Sequence, residues 1–482
     1  MAIPKLLLVA CGAIALILPP AAPGRTPAAA SANDAVSSWL RQSAIPLSSV
    51  TAGSGFADLE PLRDELRGVR IVGLGEATHG TREFFQLKHR IVEFLVRELG
   101  FTVLALEIQY HKCLPVNAYV LGDTTSDDPA ALVRANLPGI YQTEEVLALV
   151  EWIRAYNQTV PDERKVRFAG FDVQLPHRAA DAVLSFIRRV APDELPRTEA
   201  LMAETAPPDF RGFWLAYGER SAARKARLRT RLLELLGSLV AREARFVRTT
   251  SRAEYDAAVQ AARVLVQSDE VRSVPEARKQ TVDDRRDRNM ADTVDFLLER
   301  ERPGARAILW AHNFHLWTMR PEPAKSTDDA TRAGLARNGL LFKPMGQWLR
   351  EAYGAEYYAF GFVFDRGSFQ AVAQEAGDDS MEPLEFSLGP SPTGSLAGQL
   401  FLAGLGNCIV TVRGAPVDGP VDAWLRSTQG FRYAGADFSR KWKEPDYTVL
   451  TVPREHFDGL VFVPRTTRAR PLEQFPRPRS GR

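Results

Sequence analysis

The sequence predicts an α/β fold: a mostly parallel central sheet flanked by helices, with a helical insertion or cap domain. Three observations predict it. Short apolar runs of strand length recur along the chain, each bounded by helical stretches. Between about Pro176 and Pro303 the pattern changes to long Arg/Ala/Leu/Glu segments at helical spacing. Titratable side chains stand just beyond four successive apolar runs, where open α/β sheets bind ligands at the carboxyl ends of their strands.

At the N-terminus, Lys5 precedes an apolar stretch from Leu6 to Leu18, then Pro19, Pro20 and a small-residue region ending Ala30-Ser31-Ala32. This has the charge, core length and A-x-A form of a secretory signal. Residues 1–32 are therefore expected to be a leader, and the mature chain to be exported to the periplasm or beyond the cell. No membrane span should remain after cleavage, because the apolar core is too short to cross a bilayer. Leu8-Val9-Ala10-Cys11 also resembles a lipoprotein box, so lipid attachment at Cys11 or an uncleaved anchor are the alternatives.

The first strand, Arg70 to Leu74, runs into Gly75-Glu76-Ala77-Thr78-His79-Gly80, and the helix Arg82 to Leu99 follows. The second strand, Val103 to Leu106, ends on Glu107. If these strands are parallel neighbours, as in most right-handed βαβ units, Glu107 reaches the same edge as Glu76 and His79. Val166 to Phe171 is followed by Asp172, and Ala307 to Trp310 by His312 and His315. Tyr357 to Phe362, Cys408 to Val412 and Leu460 to Val463 also read as central parallel strands. The expected organisation is a catalytic core over 33–175 and 303–465, a helical cap over 176–302, which includes Ala223 to Arg248 and Tyr255 to Val266, and a loose basic tail over 466–482.

Composition sets outer limits. The 61 basic and 59 acidic residues leave a formal charge of +2, so bulk electrostatics gives no reason to expect nucleic acid as a partner. A small-molecule substrate is expected, and the oligomeric state is open. Of three cysteines, Cys11 belongs to the leader. Cys113 and Cys408 are too few for a disulfide scaffold, and one bridge or two buried thiols are equally compatible with them.

The chemistry follows from the strand ends. An imidazole takes a proton from water while a neighbouring carboxylate fixes its tautomer, which contributes about 100- to 10,000-fold. Glu76 or Glu107 could orient His79 in this way, leaving the other histidines and a cation to face a carbonyl oxygen. No Gly-x-Ser-x-Gly elbow occurs in the chain, so direct attack by water fits these residues better than a serine nucleophile. Duller roles compete: Asp172 could cap the following helix, Glu83 and His89 suit surface or structural contacts, His111 suits a solvated loop, and Tyr141 could line the pocket.

The segment from Gly75 to Phe101 resembles the signature of the erythromycin esterase family, hydrolases that open macrolide lactones, and the resemblance extends through the later segments. It implies the same fold, no cofactor, and a general base at His79, with Glu76, Glu107, His312 and His315 lining the cleft. It also implicates a basic residue in the helix after the first motif. Here that residue is Lys88, which lacks the planar fork of the arginine found in some members. Arg285 to Ala291 and Met345 to Leu349 match the family pattern too, the first at the cap edge, where Arg288 is expected to face the substrate together with Lys88 and Asp172. A macrolide substrate would imply antibiotic resistance, although export is unexpected for an enzyme that protects cytoplasmic ribosomes.

Two other readings remain. The spacing of His312 and His315, with Glu76 or His79, supplies ligand types for zinc or iron, and the distantly similar haem-binding ChaN-like and TIKI metalloprotease folds point the same way. That would make the protein a metal-dependent hydrolase. An exported small-ligand or haem-binding protein without turnover is the other alternative.

Overall fold

The computed structural model describes residues 27–207, 217–218, 220–274, 279–320, 341–374 and 382–472. Residues 1–26 of the expected leader, Cys11 among them, lie outside the described residues. Helix α1 (Pro27–Ser43) begins ahead of the expected cleavage point at Ala32. No helix among the described residues is long and apolar enough to cross a membrane.

The strands in chain order are β1 (Ile45–Pro46), β2 (Ile71–Leu74), β3 (Val103–Gln109), β4 (Arg167–Asp172), β5 (Ala307–Trp310), β6 (Tyr357–Ala373), β7 (Pro383–Leu388), β8 (Cys408–Thr411), β9 (Gln429–Arg432), β10 (Asp437–Phe438), β11 (Thr448–Thr451) and β12 (Gly459–Thr466). Ten of them form one sheet along the path β1-β8-β12-β6-β2-β5-β3-β4, with β7 and β10 added to β6. From β4 to β12 all neighbours on this path are parallel. The protein is thus α/β, as the apolar runs predict.

Two expectations about the strands are corrected. β2 and β3 are not neighbours, because β5 lies between them and pairs with both. All four residues of β2 and of β5 are buried, and such strands accept a partner on either edge, so sequence proximity does not decide adjacency. β8 is antiparallel to β12, near the sheet margin, rather than a central parallel strand.

The register brings the strand ends together. Leu74 and Leu106 both pair with Trp310, and Leu106 pairs with Gly170. Glu76, Glu107, Asp172 and His312 therefore emerge at one edge. A register shift in β3 between Leu106 and Gln109 re-aims the side chains at its end, as bulges do.

Helix α2 (Arg82–Leu99) packs Phe84, Phe85, Leu87, Ile91, Val92, Phe94 and Leu95 against the sheet, each fully buried apolar side chain stabilising by roughly 1.5–3 kcal/mol. Gly100 ends it in the left-handed conformation. Between β4 and β5 the chain forms helices including α3 (His177–Val190), α4 (Ala222–Ala241), α5 (Arg252–Arg272) and α6 (Lys279–Arg300). Val183, Ile187, Leu228, Leu232, Val259 and Leu265 from the first three form an apolar cluster of their own.

Residues 467–472 are not a loose tail. The Thr467 carbonyl accepts from Arg82 N at 2.9 Å, Ala469 N donates to the Gly80 carbonyl at 2.9 Å, the Arg470 carbonyl accepts from Glu144 N at 2.8 Å, and Leu472 N donates to the Gln142 carbonyl at 2.9 Å. Arg82 and Glu144 each open a helix, where backbone N–H groups lack intrahelical partners, and the strap supplies them. Residues 473–482 lie outside the described residues. Cys113 and Cys408 are buried, free thiols.

Candidate active site

The turn after β2 is shaped by two glycines. A Cβ on Gly75 would stand 2.0 Å from Asn313 Oδ1, and one on Gly80 would stand 2.2 Å from Gln370 Cγ and 2.4 Å from the Gln370 carbonyl oxygen. Only glycine lets the backbone approach so closely. The turn holds Glu76, wholly buried, beneath His79.

Glu76 is saturated with donors. Its Oε1 lies 2.6 Å from His79 Nδ1. Its Oε2 accepts from Lys88 Nζ at 2.6 Å and from Trp310 Nε1 at 2.8 Å. Burial works to raise the carboxyl pKa, but the charge of Lys88 and the hydrogen bond from His79 outweigh it and hold Glu76 below its usual range. Burial brings Lys88 down to about 8 in spite of Glu76. An ionised Glu76 fixes the Nδ1–H tautomer of His79 and leaves Nε2 as an acceptor.

A second network closes the other side. Arg286 on α6 donates from Nε to Asp172 Oδ1 at 3.0 Å, and from one terminal nitrogen to Glu107 Oε1 at 2.8 Å and Asp172 Oδ2 at 3.2 Å. His315 sits between carboxylates, with Nδ1 2.8 Å from Asp287 Oδ1 and Nε2 3.2 Å from Glu107 Oε1. Burial opposes its charge, yet Asp287 and Glu107 raise it to about 10. Burial opposes ionisation of Glu107 as well, but His315 and Arg286 carry it well below the carboxylate range.

His312 differs from His315. Burial, then the nearby His79, hold it well below the ordinary imidazole value, so it stays neutral. Its backbone N–H donates to Glu107 Oε2 at 3.0 Å, and its Nδ1 accepts from Phe314 N at 3.4 Å. The proton therefore belongs on Nε2, which makes no well-formed hydrogen bond in the protein, with the Ala77 backbone standing beside the ring. The His79 and His312 ring centroids are 5.3 Å apart.

These groups face a cavity of about 120 Å³ whose walls include His79, Glu107, Asp172, Arg286, His312 and His315. The sequence-predicted set is thus brought together except for two residues. Lys88 is fully buried behind Glu76, with its ammonium 4.3 Å from the Trp310 ring centroid. It follows Phe84, Phe85 and Leu87 on the inner face of α2, so it supports the glutamate instead of facing substrate. Arg288 is exposed on the far side of α6, 5.5 Å from the Trp348 ring centroid, and lines a separate groove. Asp172 binds Arg286 and caps nothing, since α3 starts at His177.

Sequence reasoning missed Arg286 and Asp287. Continuing the buried phase of Met290, Val294 and Leu298 back one turn selects 286 and 287 over 288. His111 is buried rather than solvated, with Nε2 3.4 Å from the Ala257 carbonyl oxygen. His89 is buried against Trp152, and Glu83 accepts from Thr467 N at 2.7 Å. No group of three or more His, Cys, Asp or Glu among the described residues is disposed to hold a metal ion. Both His315 nitrogens are already engaged.

Similarity to known proteins bears on this geometry. The sequence model of the erythromycin esterase family matches residues 96–466, which include Glu107, Asp172, Arg286, Asp287, His312 and His315, while Glu76, His79 and Lys88 precede the match. The chain is 24% identical over 396 residues to erythromycin esterase type II of Escherichia coli, covering 79% of this chain and 89% of that one. It is 25% identical over 380 residues to the putative hydrolase YbfO of Bacillus subtilis, covering 75% and 78%. A solved mutant of the erythromycin esterase EreC, in an open conformation, shares the fold with a TM-score of 0.65 at 18% identity, covering 87% of this chain and 96% of that one.

Proposed function

The chain belongs to the erythromycin esterase family, and on that premise we propose that it hydrolyses a carboxylic ester or lactone with water activated by His79. The observation that carries this reading is the Glu76–His79 contact of 2.6 Å opening onto a cavity that His312 also lines. His79 Nε2 takes a proton from water as the water oxygen bonds to the carbonyl carbon, and the carbonyl electron pair moves to oxygen. Neutral His312 donates a hydrogen bond to that oxygen. Collapse breaks the bond to the alkoxy oxygen, which leaves with the proton returned by His79. The buried Glu76 stabilises the imidazolium between these steps. Glu107, Asp172 and Arg286 hold the opposite wall, and Lys88 balances Glu76 from behind.

A cavity of about 120 Å³ is small beside the roughly 300–1,000 Å³ of pockets for drug-sized ligands. The reacting ester or lactone group therefore enters it, and the bulk of a larger substrate stays outside. Export of the mature chain is part of the proposal and rests on the leader pattern in residues 1–32.

The test uses purified protein with a panel of simple esters and macrolides, with and without a strong chelator, and mass spectrometry for products that have gained one water. Hydrolysis that survives chelation and disappears in His79→Ala supports the reading. Loss on chelation would redraw His312 as a metal ligand, and turnover by His79→Ala at the wild-type rate would overturn the general base.

A further inference from the structure

Tyr141 lies in a single turn of 3-10 helix, Gly139–Tyr141, that the parallel sheet does not supply. Its ring is held by aromatic neighbours: stacked with Phe85 at 6.2 Å between centroids, edge-on to Trp310 at 6.3 Å and edge-on to His79 at 6.3 Å. The segment is tied down on its C-terminal side, where Leu472 N donates to the Gln142 carbonyl and the Arg470 carbonyl accepts from Glu144 N. The residue is 1% exposed, yet it lines the cavity, and its hydroxyl has no hydrogen-bond partner in the protein. Buried phenols nearly always have one. The packing that pins this ring would serve phenylalanine equally well, so the hydroxyl has no structural work to do.

We propose that Tyr141 is a further catalytic residue, whose hydroxyl donates a hydrogen bond to the oxyanion formed when water adds to the ester carbonyl. This rests on the hydrolase reading above and adds a second donor, beside His312 Nε2, to the place where charge develops. Burial, reinforced by Glu76, Glu107 and Asp172, raises the phenol well above its ordinary pKa. It stays protonated and donates throughout the pH range of turnover. A neutral donor is also suited to the site because it adds no charge beside the general base. Through the step the phenol keeps its proton: the water proton goes to His79, the carbonyl pair goes to oxygen, and the Tyr141 hydrogen bond shortens onto that oxygen as charge grows.

The test is Tyr141→Phe in the full protein, assayed with 4-nitrophenyl acetate and butyrate alongside wild type and His79→Ala. Loss of one oxyanion donor typically lowers kcat by about 100- to 1,000-fold, with KM little changed because the bond strengthens only in the transition state. The unfolding midpoint should not fall below that of wild type, since no protein hydrogen bond is lost. A variant with wild-type kcat, or one whose activity falls only in step with its stability, would overturn the role of Tyr141 while leaving His79 hydrolysis standing. Absence of turnover by the wild type with every ester of the panel would overturn the hydrolase reading itself, and this role with it.

Discussion

Replacing Glu76 by glutamine separates what this carboxylate does for the fold from what it does for the chemistry. The side chain keeps its shape but loses the charge that faces Lys88 Nζ at 2.6 Å and His79 Nδ1 at 2.6 Å. Lys88 is then a fully buried ammonium without its counter-ion, and breaking a buried pair from one side costs about 3–5 kcal/mol. The wild-type baseline already has a direction. The fall of the Lys88 pKa from 10.5 to about 8 corresponds to about 3 kcal/mol. The unfolded chain binds this proton more tightly, so the contribution of Lys88 makes stability rise between pH 8 and pH 10.5. Glu76, held below 4.5, stabilises above that pH, and its contribution is lost as pH falls through its folded value. In Glu76→Gln the acid-side contribution disappears, and the Lys88 window widens downward towards neutral pH. Urea denaturation extended below pH 4.5 on the acid side and through the pH 8 to 10.5 window of Lys88 on the basic side reads both effects. Adding Lys88→Met should recover most of the lost stability, because no lone buried charge remains. It should not recover activity, which falls at least about 100-fold when His79 loses the carboxylate that orients it. Unchanged stability in Glu76→Gln, or no recovery in the double variant, would refute the buried-pair account; recovered activity would refute the Glu76–His79 assignment.

Three further outcomes are expected. In Asp287→Asn the His315 charge loses a partner. His315, raised from 6.5 to about 10, stabilises fully below pH 6.5 and loses that contribution as pH rises through about 10. The variant should therefore trail wild type by about 3–5 kcal/mol near pH 6, with the gap in urea midpoints closing towards pH 10. Truncation after Thr466 removes four backbone hydrogen bonds to the Gly80–Arg82 and Gln142–Glu144 segments, about 4 kcal/mol at about 1 kcal/mol each. Thermal unfolding should show it, and an unshifted midpoint would mean that the strap holds nothing. Cell fractionation should find the mature chain outside the cytoplasm, and a cytoplasmic mature chain would overturn the export proposal.

The legible parts of this fold are those that depend on local pattern. Ile71 to Leu74 and Ala307 to Trp310 are buried strands because their apolar runs have no polar face to offer solvent. The charged residues after them reach one edge because parallel register leaves little freedom. Strand order was not legible, since insertion of β5 between β2 and β3 is a long-range choice between equally apolar edges. The cation of the site was misread for a similar reason. Arg285, Arg286 and Arg288 are alike in composition, and only the helical phase set by Met290 and Val294 distinguishes the buried one. Lys88 looked like a substrate contact because charge suggests exposure, while its neighbours Phe84, Phe85 and Leu87 show that it faces inward. The Arg/Pro-rich ending hides a strap whose value lies in backbone groups, to which composition is blind.

Charge in the site is sorted by depth, and this bears on which step can be slow. Lys88 offsets Glu76 behind the base. On the facing wall Glu107, Asp172 and Asp287 oppose Arg286 and His315. With His312 neutral and the base His79 left out of the count, these groups sum to one negative charge in excess, all of it close to the space where the acyl group binds. A neutral ester meets no electrostatic barrier there, and protonation of His79 during attack brings the named protein groups to balance. The acid product is different: once ionised it lies against the excess negative charge of Glu107 and Asp172 in a buried setting, where like charges repel more strongly than in water. The product acid should therefore bind less tightly than its ester at neutral pH. A product-inhibition constant above the KM of the parent ester, falling as pH is lowered through the pKa of the free acid, is the expected result. Tight binding of the ionised acid would instead mean that Arg286 is free to receive it, contrary to its commitment to Glu107 and Asp172.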